Sequence, residues 1–231
     1  MKIGIIGAGM IGDTLARRCV ALGHEVSLAN SRGPASLMDI AKDVGARAAT
    51  VEDAVKGRDL VVVTIPEKSV ADLPKGLFAD VPPEVPVIDT GNYYPRQRDG
   101  RIEPIENGLT ESRWVATTLG RPVIKAFNCI GFRSLGERGR PKGAPDRLAL
   151  PIAGDDPSAK AKVMALVEDL GFDAYDAGGL DDSWRQQPGQ PCYVADSTLP
   201  ELKQRLADAN PVRQPKFIGS AKSPGTFTDP R

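Results

Sequence analysis

Met1-Lys2-Ile3-Gly4-Ile5-Ile6-Gly7-Ala8-Gly9-Met10-Ile11-Gly12 opens the chain. Residues 2–6 are an apolar run of strand length, and residues 10–22 carry Ile11, Leu15, Cys19 and Leu22 at helical spacing on one face. A strand, a G-x-G-x-x-G turn and a helix start together form the arrangement that holds a dinucleotide pyrophosphate. Gly7 permits the tight turn, Gly9 lets backbone approach the phosphates, and Gly12 lets the helix pack close to the strand. Ala8, Met10 and Ile11 complete the turn, and the helix N-terminus offers unpaired N–H groups with a partial positive charge.

The next apolar run, Val26 to Ala29, ends in Asn30-Ser31-Arg32. An NAD site generally has Asp or Glu here, accepting from the ribose hydroxyls, and a carboxylate would repel a 2′-phosphate. Arg32 can instead pair with that phosphate and lay its plane on the adenine, while Ser31 can donate a hydrogen bond. Asn30, Ser31 and Arg32 therefore point to NADP(H).

Further along, Leu37, Ile40, Ala41 and Val44 give a second helical stripe closed by Gly45, and a short strand is expected near 46–49. Thr50 with Asp53 resembles a capping box for a short helix through Val55. Leu60-Val61-Val62-Val63-Thr64-Ile65 reads as a strand buried on both faces, and Val85 to Asp89 as the next. Residues 91–113 read as a long loop, 123–128 as a sixth strand running into a turn, and 136–147 as a mobile loop. A strand at 148–153, a helix capped by Asp156 with the stripe Val163, Leu166, Val167 and Leu170, and a strand at 172–175 follow. Alternating strands and helices imply an α/β, Rossmann-type doubly wound, mostly parallel sheet. Residues 1–177 are read as the NADP-binding domain with the acceptor site. Residues 178–231 are read as a short C-terminal cap, with one helix at 199–206 and a tail extended over a partner or disordered.

Ligands in such sheets bind beyond the carboxyl ends of the strands. Thr64, Ile65 and Pro66 are expected to wall the nicotinamide, with Thr90, Asn92 and Ala126 beside them. Asp89 and Asn128 are the candidate catalytic groups; as turn formers, Asp89 and Asn92 also suit a purely capping role. Lys125 precedes the strand end and reads as an ordinary strand residue more readily than as a catalytic lysine. His24, the single histidine, falls at the amino end of the sheet, which favours direct hydride transfer over histidine acid–base chemistry. Trp184-Arg185-Gln186-Gln187-Pro188-Gly189 suits a cover for the acceptor or a subunit contact.

Bulk composition narrows the field. The 231 residues carry 30 Lys plus Arg and 30 Asp plus Glu, a balance that favours neither nucleic acid nor a membrane surface. No apolar run approaches the roughly 20 residues of a membrane span, and the glycine-broken start does not read as a signal peptide. Cys19, Cys129 and Cys192 are far apart in sequence and have no disulfide or metal spacing, so a cytoplasmic setting without a metal is expected.

With these residues assembled, the chain resembles the NADP oxidoreductases that work with the deazaflavin coenzyme F420. The resemblance rests on Gly7-Ala8-Gly9-Met10-Ile11-Gly12, Ser31-Arg32, Ile65-Pro66, Asp89 with Asn92, and Val123-Ile124-Lys125-Ala126-Phe127-Asn128. It covers about the first 175 residues. The reductase domain of membrane ferric reductases, which passes hydride from NADPH to a flavin, is similar too. The resemblance implies hydride transfer between NADP(H) and F420 or a flavin-like ring stacked on the nicotinamide. Two alternatives stay open: a reductase of a small carbonyl, imine or ferric chelate, and a non-catalytic NADP(H) sensor. Related hydroxyacid dehydrogenases add a helical domain of over a hundred residues, and fewer than 60 residues follow Phe172 here. Trp184 and the tail make a homodimer plausible.

Overall fold

The computed structural model describes residues 1–231. The first part of the chain runs β1 (Lys2–Ile6), α1 (Met10–Ala21), β2 (Glu25–Ala29), α2 (Met38–Val44), β3 (Arg47–Ala48), α3 (Val51–Val55), β4 (Leu60–Val63), β5 (Val87–Asp89), α4 (Glu103–Glu106), α5 (Glu111–Leu119) and β6 (Ile124–Lys125). Its six strands form one parallel sheet in the order β3-β2-β1-β4-β5-β6. Strand order reverses between β1 and β4, which is where such sheets open a crevice at their carboxyl edge. Covering helices bury both faces, which explains the unbroken Leu-Val-Val-Val of β4. On one face Leu15 and Cys19 of α1 meet Ile3, Ile5 and Leu28; on the other Ala54 and Val55 of α3 and Val115 of α5 meet Val61 and Val63. Each fully buried Leu or Val contributes about 1.5–3 kcal/mol.

The second part adds α6 (Phe132–Glu137), β7 (Ala149–Ile152), α7 (Pro157–Asp169), β8 (Asp173–Asp176) and α8 (Leu199–Ala207). β7 and β8 pair in parallel, and β7 meets the main sheet through an antiparallel bridge between Lys125 and Ala153. Asp156 caps α7 through the Ser158 and Ala159 N–H groups at 2.8 and 3.1 Å. Val163, Leu166, Val167 and Leu170 of the α7 region are buried as their spacing demands. Thr50 caps α3 by accepting from Asp53 N–H at 3.1 Å.

Three segments differ from the sequence reading. Residues 91–113 are not a plain loop: they hold a turn at Pro95–Asp99, α4 and the start of α5. Thr110 caps α5, and a four-residue helix such as α4 is too short to show periodicity. Residues 136–147 are pinned by the buried guanidinium of Arg147, which reaches Arg140 O at 2.6 Å, Phe172 O at 2.8 Å and the carboxylates of Glu168 and Asp173. The tail lies on its own chain. Arg213 pairs with Glu106, Gly219 N–H donates to Glu106 at 2.9 Å, Gly225 N–H donates to Arg96 O at 2.8 Å, and Phe227 meets the Tyr94 ring edge-on at 5.6 Å. No helix is long and apolar enough to cross a membrane.

Candidate functional site

A cleft of about 730 Å³ opens at the carboxyl edge of β1, β2, β3 and β4. Gly7, Ala8, Gly9, Asn30, Ser31, Arg32, Thr64, Ile65 and Pro66 line it, all residues chosen from the sequence. Gly7 adopts φ +119°, and a Cβ there would strike the carbonyl of Thr64. A Cβ on Gly12 would strike the carbonyl oxygen of Gly7, so this glycine sets the helix-to-strand approach. Gly9 has open space where its Cβ would stand, which leaves room for a ligand against the backbone. No side chain caps α1, so its first-turn N–H groups are free for an anion.

At the end of β2 the Asn30 carboxamide shapes the specificity loop. Its Oδ1 accepts from Arg32 N–H at 2.9 Å and its Nδ2 donates to Ser36 Oγ at 3.0 Å. The Arg32 side chain is exposed and makes no ion pair within the protein. Asn30→Ala removes the brace but not the cation. NADPH binding should weaken by about 0.5–1.5 kcal/mol, the worth of a neutral hydrogen bond, as measured by fluorescence titration.

Gly33, Thr50, Val51, Glu52, Ser69, Asp72, Leu73 and Pro74 also line the cleft and were missed. The signal was available: Thr50 to Glu52 follow the end of β3, and Ser69 to Pro74 follow the end of β4. Met10, Ile11 and Gly12 belong to the helix start beside the cleft rather than to its wall. Ala126 is corrected outright: it is fully buried in the core, because the chain at the end of β6 turns inward. Thr90 is buried, its hydroxyl near Val63 O at 3.4 Å, so it holds β5 to β4.

Asp89 also changes role. The sequence reading made it a reacting group, but the structure buries it and engages both its oxygens. Oδ2 takes Lys125 Nζ at 3.1 Å and Ser112 Oγ at 2.6 Å, while Oδ1 takes Gly91 N–H at 2.7 Å. Lys125 is fully buried and also donates to Gly91 O at 2.6 Å. Burial alone would lower its pKa, yet the carboxylates of Asp89, Glu67 and Glu111 hold it above its ordinary value. Glu111 Oε2 accepts Tyr93 N–H at 3.2 Å. Both backbone groups of Gly91 and the N–H of Tyr93 are thus bound to buried ionisable groups, and Asn92 between them is fixed.

Asn92 and Asn128 face each other: Asn128 Nδ2 donates to Asn92 Oδ1 at 3.2 Å and to Gln186 O at 2.7 Å. Asn128 Oδ1 is buried without a partner. Phe127, at φ +64°, makes the sharp turn that carries Asn128 off the strand. The segment singled out from Trp184 onward begins in the short helix Leu180–Gln186 and closes this side of the strand ends through that Gln186 carbonyl. Tyr94 and Tyr193 join hydroxyl to hydroxyl. Cys129 and Cys192, remote in sequence, meet as buried free thiols with sulfurs 3.7 Å apart. His24 sits beside the N-terminal amine at the opposite edge of the sheet.

A doubly wound sheet with a glycine turn at its switch point and an uncapped helix above it defines a dinucleotide-binding class of α/β protein. Residues 2–93 match the family described as NADP oxidoreductase, coenzyme F420-dependent. The structure of SMa0349 from Sinorhizobium meliloti is similar over 84% of this chain and 93% of its own, with 30% identity and a TM-score of 0.71. A structure from Arthrobacter sp. FB24, named for F420-dependent NADP-reductase activity, shares the fold at 24% identity and a TM-score of 0.62, covering 80% and 87% of the two chains. The chain belongs to this NADP oxidoreductase family. The Escherichia coli protein YjhV is 48% identical over 80 residues, 35% of this chain; the match spans about half, 51%, of YjhV.

Proposed function

We propose that the protein is an NADPH-dependent oxidoreductase that passes a hydride between NADP(H) and coenzyme F420 or another flavin-like ring. The observation that carries the cofactor half is the end of β2: Arg32, its guanidinium free and its backbone N–H held by Asn30, on a cleft with an uncapped helix N-terminus. The residues fit the group. Gly7 to Gly9 and the first turn of α1 would hold the pyrophosphate, Ser31 and Arg32 the 2′-phosphate, and Ile65 and Pro66 the nicotinamide face. When bound, the nicotinamide supplies the hydride.

This chain's own residues orient and exclude. Ile65 and Pro66 form an apolar wall that keeps water from one side. Asn92 and Asn128 hold each other at the adjoining strand ends, outside the cleft wall, and Asn128 Oδ1 is buried there without an internal partner. The only histidine lies at the far edge of the sheet, so no imidazole is placed to exchange a proton. This favours an acceptor whose reduction is carried by its own ring, and the family name supports the same choice.

The test is steady-state oxidation of NADPH against F420, FMN, a ferric chelate and a small cyclic imine. Turnover with F420 or FMN well above the no-enzyme rate, and weaker with the others, is expected. NADPH binding with no acceptor reduced would replace this reading with a sensor.

A further inference from the structure

Cys129 and Cys192 are 63 residues apart in the chain, yet their sulfurs stand 3.7 Å apart. Both are buried free thiols. Each has a backbone carbonyl to donate to: Cys129 Sγ donates to Gln186 O at 3.3 Å, and Cys192 Sγ to Arg185 O at 3.1 Å. With both hydrogens so directed, the two sulfurs face each other bare. A disulfide needs about 2.05 Å between sulfurs, so closure asks for less than about 2 Å of combined movement. A cavity of about 10 Å³, lined by both cysteines with Ile130 and Leu202, gives the side chains room to rotate. Cys19, the third cysteine, is buried elsewhere, in the core beneath α1.

Other bonds hold the pair in place. Cys129 follows the sharp turn at Phe127 and Asn128, whose amide donates to Gln186 O at 2.7 Å. After Cys192 the chain bends through Val194 and Asp196, at φ +49° and +41°. It is fastened there by Ser134 Oγ, which donates to Asp196 at 2.5 Å, and by Ala149 N–H, which donates to Ser197 O at 2.8 Å. The pair joins a thinly anchored segment to the sheet. The core beneath α8 has six buried residues, Cys129, Ala149, Ala177, Cys192, Leu202 and Leu206, against 25 and 15 in the two larger clusters. A core this small gains most from a cross-link, and two of its six members are the cysteines.

We propose that Cys129 and Cys192 form a reversible dithiol–disulfide pair, oxidised by a hydroperoxide, whose closure staples the segment carrying α8 to the end of β6. One sulfur attacks the peroxide O–O bond, giving a sulfenic acid and, with hydrogen peroxide, one water. The second sulfur displaces the sulfenic oxygen, which leaves with the remaining thiol proton as a second water. Two thiols thus lose two electrons and two protons, and the peroxide is reduced to two waters. A small dithiol reverses the reaction by exchange. Burial, with the Cys192 thiol beside it, pushes Cys129 well above its ordinary range, so the pair reacts slowly, as α8 loosens from its small core. It therefore answers sustained oxidation, and in a reducing compartment it rests as two thiols. Neither cysteine lines the cofactor cleft, so the proposal stands apart from the NADP(H) reading.

The experiment exposes the folded chain to hydrogen peroxide for increasing times, removes the peroxide with catalase, unfolds the protein in an alkylating reagent and reads its peptides by mass. The peptides of Cys129 and Cys192 should be joined, with a loss of about 2 Da for the two hydrogens, while Cys19 is alkylated. The oxidised protein should melt higher by roughly 5–15 °C, the scale of a cross-link that fits the native geometry in a chain of this size. Dithiothreitol should return it to the starting value. Cys192→Ser should give neither the joined peptide nor the shift; the wild-type readings decide by themselves should that variant not fold. Both cysteines still alkylated after prolonged exposure overturn the proposal. Oxidation to sulfinic acid without a join overturns it, as does a joined protein that melts no higher.

Discussion

Lys125→Met should destabilise the fold by about 3–5 kcal/mol, the range for removing one partner of a buried ion pair. Methionine matches the lysine stem in volume, so the loss reports charge and hydrogen bonding rather than a cavity. Three consequences add. Asp89 keeps Ser112 and the Gly91 N–H but loses its counter-charge, with Nζ at 3.1 Å in the wild type. Gly91 O, in a buried turn, loses its 2.6 Å donor. Glu67 loses the cation that opposes its burial, and Glu111 the stronger of two, the other being Arg213. A surface pair such as Arg17 with Asp43 offers the contrast: its members are 46% and 68% exposed, and breaking it should cost under about 1 kcal/mol. Urea unfolding with the slope held constant measures both changes. Asp89→Asn on the Lys125→Met background should recover part of the loss, because the unpaired charge is then gone. A loss under about 1 kcal/mol for Lys125→Met, or no coupling with Asp89→Asn, would contradict the charged network described above.

Much of this molecule follows from local rules. The glycine turn is legible because its spacing between a strand and a helix is a local pattern, with Gly12 answering to the Gly7 carbonyl five residues before it, and β4 because four β-branched or leucine side chains in a row suit only a strand covered on both faces. The cleft loop at Asn30 to Arg32 is legible because a strand end places it. What is not legible depends on distance in sequence. Asp89 reads as a free acid at a strand end until Ser112, 23 residues later, and Lys125, 36 residues later, are seen to take it. Glu67 and Glu111 look like surface residues of a turn and a helix start, since nothing local marks their burial. Ala126 looks like a site residue because it stands between Lys125 and Asn128, but the chain turns inward after β6 and carries it into the core with its neighbours Lys125 and Phe127. Cys129 and Cys192 meet only because the chain after Gln186 folds back onto the end of β6. The tail looks like a solvated segment because its partners, Glu106 and Arg96, lie more than a hundred residues upstream.

Arg32→Ala should weaken NADPH binding by about 1–3 kcal/mol, the scale of a charge-assisted hydrogen bond to phosphate, while leaving NADH within a few tenths. Two effects compete in that estimate. The guanidinium is exposed, and an exposed ion pair is usually worth no more than about 1 kcal/mol. Against this, the 2′-phosphate carries up to about two charges, and the planar fork can give two parallel bonds. Asn30 also holds the backbone of Arg32 at 2.9 Å, which lowers the entropy lost on binding. The second set of effects should win at low salt and lose ground as salt rises. The preference for NADPH over NADH should therefore shrink with ionic strength in the wild type and be nearly salt-independent in Arg32→Ala. Arg32→Lys should fall between the two, because it keeps the charge and loses the fork. Titration of each protein with both nucleotides at two salt concentrations measures all of this. Equal losses for NADPH and NADH would show that Arg32 serves the adenine or the loop, and would move the source of any NADPH preference elsewhere on the cleft.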